Sequence, residues 1–297
     1  MRVLPVVAIL ALLPSQPGRL PEVRAAASEH GPRVSLADST SVPIEVPDGR
    51  AIVTVTLNGR GPYRLAVETG SPDVLVTPKV IAELALRATG MGESDSLFGL
   101  DSLRLGAMLI RALPVGRGSA FARLGVDGVL GLIAYRDLLL TVDYPNKRLS
   151  LAQARLPSPD GREILRATRV GPFVGIPVML GQVREIGVID TQGGMGFQAI
   201  DEVAGRLSFQ APPRVVGRAI IGGRAPIEVR EGMLSGDALL GRHRIRRPRI
   251  AVHPLPPDIP SRVTIGIGVL RHFVIAIDQR TMAVRLTRAD TAAITLD

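Results

Sequence analysis

The sequence has no cysteine and no tryptophan, and only 3% of its residues are aromatic. Without cysteine there is no disulfide framework, no thiolate zinc site, no thiol nucleophile and no cysteine to carry a lipid. The fold must stand on its hydrophobic core. With so few aromatic rings there is no stacking platform for nucleic acid, which is not expected as a partner. Long apolar runs are missing too: beyond the first residues, charge, Pro or Gly interrupts every stretch before it reaches membrane-spanning length. His30, His243, His253 and His272 are scattered without the His-x-x-x-His or neighbouring-carboxylate spacing of a metal site. No metal or other cofactor is expected. There is no Gly-x-Ser-x-Gly elbow and no phosphate loop, and Gly266-Ile267-Gly268 lacks the third glycine of a dinucleotide site.

What is present is a 297-residue chain, 46% hydrophobic, with 32 Gly and 24 Pro. Valine, isoleucine and leucine punctuated by turn formers point to a mostly β protein of short strands, with few and short helices. At the N-terminus, Met1-Arg2 followed by the apolar run Val3–Leu13 reads as an export signal over residues 1–27, with Ala25-Ala26-Ala27 as the cleavage site. An uncleaved anchor is the alternative, since Arg19, Glu22 and Arg24 make the segment before that site long and charged. The net charge of +9 raises the question of an anionic partner. Most arginines, among them Arg64, Arg104, Arg136 and Arg184, stand singly between apolar residues, as on a solvated strand face. One cluster, Arg242, Arg244, Arg246, Arg247 and Arg249, reads as a charged loop or edge strand, with docking to an anionic envelope surface as the alternative.

The chain repeats itself. A strand-like run ends in an acid and threonine twice, at Leu65-Ala66-Val67-Glu68-Thr69-Gly70 and at Gly187-Val188-Ile189-Asp190-Thr191-Gln192. An apolar-apolar-Gly element leading through a short helix to a strand and tight turn also occurs twice. It runs from Val129-Leu130-Gly131 to Asp143-Tyr144-Pro145, and from Thr264-Ile265-Gly266 to Asp278-Gln279-Arg280. The differences 266 − 131 and 278 − 143 are both 135, while 190 − 68 is 122, so one insertion of about 13 residues in the second half reconciles all the offsets. Upstream of each acid stand matching hairpins, Ile52–Leu57 before Asn58-Gly59 and Val174–Leu180 before Gly181-Gln182. Downstream, Thr77-Pro78 opens a helix expected to reach about Arg87, and Gln198–Phe209 is its helix-like counterpart. Gly90-Met91-Gly92 and Gly222-Gly223 suit hairpin tips. The expected organisation is a polar lead-in over residues 28–48, a first lobe over 49–154, a linker over 155–168 and a second lobe over 169–290.

A strand ending in acid-Thr-Gly delivers a carboxyl to the rim of a β-structure on a turn whose amides can bond it. Two such turns meeting at a lobe interface would share one proton between two carboxyls, one activating a water and the other protonating a carbonyl. In these motifs, and in Asp127-Gly128-Val129-Leu130-Gly131 and Asp143-Tyr144-Pro145, the chain resembles the retropepsin-like and pepsin-like aspartic peptidases over nearly all of residues 49–290. The resemblance implies a bilobal acid-protease fold of two homologous β-barrel-like lobes. It implies Glu68 and Asp190 as the catalytic pair, Thr69 and Thr191 as braces between acid loops completed by Gly70, Ser71, Gln192 and Gly193, and Gly90, Met91 and Gly92 as a flap. The partner would be an extended polypeptide. Fusion of the two halves removes the need to dimerise, so a monomer is expected.

The motifs depart from that pattern in three places. Glu68 replaces Asp, moving the carboxyl by roughly 1.5 Å, and a misplacement near 1 Å can cost about 100-fold in rate. Gln192 replaces Gly, and Gly193 stands where the first half has Ser71, whose hydroxyl could bond a carboxyl. Three functions stay open on these residues: an exported aspartic endopeptidase, a peptide-binding module that does not hydrolyse, and a basic envelope-surface protein acting through its arginine cluster. Asp143 and Asp278, each before a tight turn, read as structural.

Overall fold

A computed structural model describes residues 32–91, 96–219, 226–255 and 259–296. The expected signal segment lies outside these residues, as do His30, Gly92 and Gly222-Gly223. No helix among the described residues is long and apolar enough to cross a membrane.

The architecture is mostly β, with three sheets and short helices. The first half forms an eight-stranded sheet in the order 33–35, 108–117, 75–76, 128–130, 60–67, 52–57, 96–105, 88–91. An additional pairing of 96–105 with 108–117 bends this sheet back on itself. The second half repeats the plan: 183–189 pairs in parallel with 263–265 and antiparallel with 173–180, while 197–199 pairs with 249–252 and 263–265. Between the lobes lies a six-stranded sheet in the order 164–166, 283–287, 274–278, 139–143, 148–152, 39–43, drawn from both halves.

The repeat seen in the sequence recurs in the backbone. Gly59 and Gly181 turn the two hairpins at φ +73° and +62°, a region open to glycine because it has no Cβ. Gly106 and Gly241 do the same at +56° and +57°, and their separation, 241 − 106, is already 135. The extra residues of the second half therefore precede Gly241, and they lengthen the stretch around the hairpin 214–233.

Three sequence expectations change. The helix opened by Thr77, whose hydroxyl accepts from Val80 N, ends at Glu83 instead of Arg87. Ala85 turns left-handed at φ +49°, and Leu86 N reaches back to Ile81 O, closing the helix. Of the expected helical stretch Gln198–Phe209, only Asp201–Ala204 is helical. The first residues of that stretch, Gln198 and Ala199, belong to the buried strand Phe197–Ala199 between two neighbours, where tertiary pairing overrides the helical pattern. Finally, the stretch read as a polar lead-in holds two strands: Arg33–Ser35 pairs with the first lobe and Ser39–Pro43 edges the six-stranded sheet. Apolar residues at alternate positions, Val34 and Leu36 and then Val42 and Ile44, give this segment an inward face among its polar neighbours.

The shared sheet ties the lobes to one core. Leu140 of the first half and Ile277 of the second stand opposite each other, each 1% exposed. Ile277→Ala is expected to cost about 2–5 kcal/mol. Because its strand serves both halves, urea denaturation should show a single transition moved to lower denaturant, not two separating ones.

Candidate active site

Each acid arrives at the end of a strand held by a parallel neighbour. In the first lobe Val67 pairs with Leu130, and Glu68 N donates to Leu130 O at 2.9 Å. In the second, Ile189 pairs with Ile265, and Asp190 N donates to Ile265 O at 3.0 Å. The glycine after each apolar pair lets the acid loop close against it. A Cβ on Gly131 would fall 2.1 Å from Asp73 O, and one on Gly266 2.2 Å from Met195 O.

The two loops then interlock through threonine. Thr69 Oγ1 donates to Ile189 O at 2.7 Å and Thr191 Oγ1 donates to Val67 O at 2.7 Å. Thr69 N donates to Thr191 Oγ1 at 3.0 Å, and Thr191 N to Thr69 Oγ1 at 3.2 Å. Both threonines are fully buried, and each hydroxyl spans the lobe boundary. The approach is close enough that a Cβ on Gly70 would lie 2.8 Å from Cγ and Oδ1 of Asp190.

Within this frame the carboxyls differ. Asp190, 3% exposed, accepts at Oδ1 from Gln192 N at 2.9 Å and Gly193 N at 2.8 Å. Burial pushes its pKa up to about 6, against the pull of those amides and of Arg50. Glu68, 1% exposed, has no hydrogen-bond partner at either carboxyl oxygen among the described residues. Burial first, and then the charge of Asp190, raise it well above the usual carboxylate range, with Arg50 opposing. The sequence expectation that loop amides bond both acids therefore holds at Asp190 alone. Ser71 does not bond Glu68: its hydroxyl donates to Asp73 O at 2.9 Å, turned along its own loop. Gln192 is buried, and its Nε2 crosses the boundary to Val67 O at 3.0 Å.

No family model matches the chain, and no curated protein matches it in sequence. In structure it is similar to the crystal structure of an aspartic proteinase from Irpex lacteus, with a TM-score of 0.52 and 16% identity, over 85% of this chain and 98% of that one. The fold is the bilobal pepsin-like fold. At that identity the likeness concerns the fold, and the chemistry has to be read from the residues.

Gly90 and Met91 lie on strand 88–91, which pairs with 96–105 and so forms one arm of a hairpin of the first lobe. Asp143 caps its own turn through Asn146, and Asp278 binds Leu156 N and Arg280, both structural. Of the arginine cluster, Arg242, Arg244 and Arg249 pair with Glu163, Asp237 and Glu231.

Sequence reading missed several groups around the acids. Arg50 faces both electrostatically, and the hydroxyls of Tyr135 and Tyr144 are buried within reach of the Glu68 and Asp190 charges, which help burial raise them. Behind Asp190 lies a buried polar pair, Gln198 Oε1 and His253 Nε2, 3.0 Å apart. A Cβ on Gly193 would come 2.9 Å from Asp190 Oδ2 and 3.2 Å from Gln198 Nε2, so that amide faces the acid loop. In the first lobe the same strand position is Leu75, and that polar-for-apolar exchange was the readable signal.

The burial of the acids has a measurable signature. Asp190 rises from 3.8 to about 6 on folding, so below pH 3.8 it adds no penalty, and above pH 6 the folded state carries the full one, ~3 kcal/mol. Asp190→Asn and Glu68→Gln are each expected to raise stability at pH 7. For Asp190→Asn the gain should fade as the pH is lowered from 6 to 3.8, as read by chemical denaturation across that range.

Proposed function

We infer that this chain is an exported aspartic-type endopeptidase that cleaves extended polypeptide between its two lobes. The observation that carries this reading is a pair of buried carboxyls brought together by the threonine brace and set in unlike surroundings, Asp190 on two loop amides and Glu68 on none. Unlike surroundings are how one site holds an acid and a base at once. Asp190, anchored by two amides, is the base that takes a proton from water. Glu68, held protonated by burial and by its neighbour, is the acid that donates to the scissile carbonyl oxygen. The water oxygen then bonds to the carbonyl carbon, and the resulting tetrahedral diol collapses: its C–N bond breaks, the amine leaves with the proton taken up by Asp190, and a diol hydroxyl returns its proton to Glu68. The apolar leader Val3–Leu13 supports export. The pairing of Arg242, Arg244 and Arg249 with acids weighs against the arginine cluster as the functional surface.

A second reading, peptide capture without hydrolysis, draws on the Glu68 carboxyl lying off its loop amides. Hydrolysis of a peptide library at varied pH separates the two. Cleavage should rise through about pH 6 as Asp190 ionises and fall at the higher pH where Glu68 loses its proton. Asp190→Asn and Glu68→Gln should each reduce the rate about 100-fold or more. A rate untouched by both substitutions would remove the acids from the mechanism, and peptide binding with no turnover at any pH would favour capture.

A further inference from the structure

Two of the three departures in the acid loops, Glu68 and Gln192, stand on opposite loops of the brace. The threonine brace is reciprocal, with each hydroxyl donating to the partner loop at 2.7 Å, so the loops face each other across an approximate two-fold axis. What position 70 meets on residue 190, position 192 meets on residue 68. At position 70 there is no side chain, and a Cβ there would lie 2.8 Å from the Asp190 carboxyl, closer than real Cβ atoms come. The depth at which Asp190 sits thus requires glycine opposite. At position 192 a Cβ is present, so an aspartate-length carboxyl on residue 68 has no room at the matching depth. The added methylene of Glu68 carries its carboxyl out of that space, and its oxygens, unlike Oδ1 of Asp190, have no hydrogen-bond partner among the described residues.

The polar atoms complete the case. Gln192 Nε2 donates to Val67 O, the carbonyl just before Glu68, which leaves the amide oxygen Oε1 buried and without a partner among the described residues. Three buried oxygens, Oε1 and Oε2 of Glu68 and Oε1 of Gln192, share no hydrogen unless Glu68 carries its own. Unpaired buried acceptors are costly, and a carboxylic O–H directed at the amide gives Gln192 Oε1 a donor and makes one of the two Glu68 oxygens a hydroxyl with a partner. We propose that Gln192 is the positioning residue of Glu68: its Cβ excludes the aspartate-length arrangement, and its amide oxygen accepts the hydrogen of the Glu68 carboxylic acid. The charged and titratable groups facing Glu68 are Asp190, Arg50 and the Tyr135 hydroxyl, of which Arg50 alone favours the ionised form. The roles of the two acids are then set by the chain, with Glu68 the standing acid and Asp190 the base. This deepens the peptidase reading and rests on it for the word acid.

The test uses the full chain and needs no hydrolysis, so it fails or succeeds apart from that reading. Carboxyl-carbon NMR of glutamate-labelled protein, with Glu68→Gln assigning the resonance, should show Glu68 keeping its proton well above the usual carboxylate range. Gln192→Leu fills the same space without an acceptor and should move the Glu68 titration down by a pH unit or more. In a thermal cycle, Glu68→Asp should lower the melting midpoint by several degrees with Gln192 present, and by much less with Gln192→Gly. A Glu68 titration unmoved by Gln192→Leu, or midpoint changes that simply add across the cycle, would overturn the proposal.

Discussion

The reciprocal hydrogen bonds of Thr69 and Thr191 are the constraint on which the site depends. Two carboxyls buried side by side repel each other when ionised, and each resists leaving water. The loops that carry them stay together because every donor and acceptor in the brace is matched: hydroxyl to carbonyl, amide to hydroxyl, in both directions. The brace in turn depends on strands that end at the same level, which the parallel pairs Val67–Leu130 and Ile189–Ile265 enforce. The six-stranded sheet behind them, built from both halves, keeps the lobes in register.

Duplication supplies the frame, and divergence supplies the chemistry. The first lobe packs Leu75, Val126 and Val129 into a small apolar cluster where the second keeps Gln198, Ser261 and Thr264 buried beside His253. The second acid loop presents its backbone amides to Asp190, whereas Glu68 is left to burial. In a symmetric pair either carboxyl can hold the shared proton. Here local surroundings decide which one does: two loop amides at Asp190, none at Glu68, and different side chains around each.

Much of the architecture was legible in order along the chain. Turn glycines, alternating hydrophobic runs and the constant offset between Gly131 and Gly266 and between Asp143 and Asp278 are local or periodic properties, and they mark hairpins and a repeat without reference to partners. Less legible was whatever depends on a distant neighbour. Gln198 and Ala199 look helical in isolation and belong to a strand because Ile250–Val252 and Val263–Ile265 flank it. Ser39–Pro43 looks like a polar tail and is a strand because Arg148–Ala152 leaves an edge for it.

For the site, the sequence by itself determined which residues are partners: one insertion accounts for the offsets, and it makes Glu68 the counterpart of Asp190 and Thr69 that of Thr191. Only the tertiary structure decided what those partners are to each other. That two amides hold Asp190 and none holds Glu68, that Ser71 turns away to Asp73, and that Gln192 reaches back to Val67 follow from contacts between segments more than a hundred residues apart or from the exact path of a loop. Protonation depends on distance and desolvation, and neither is a property of a residue's place in the chain.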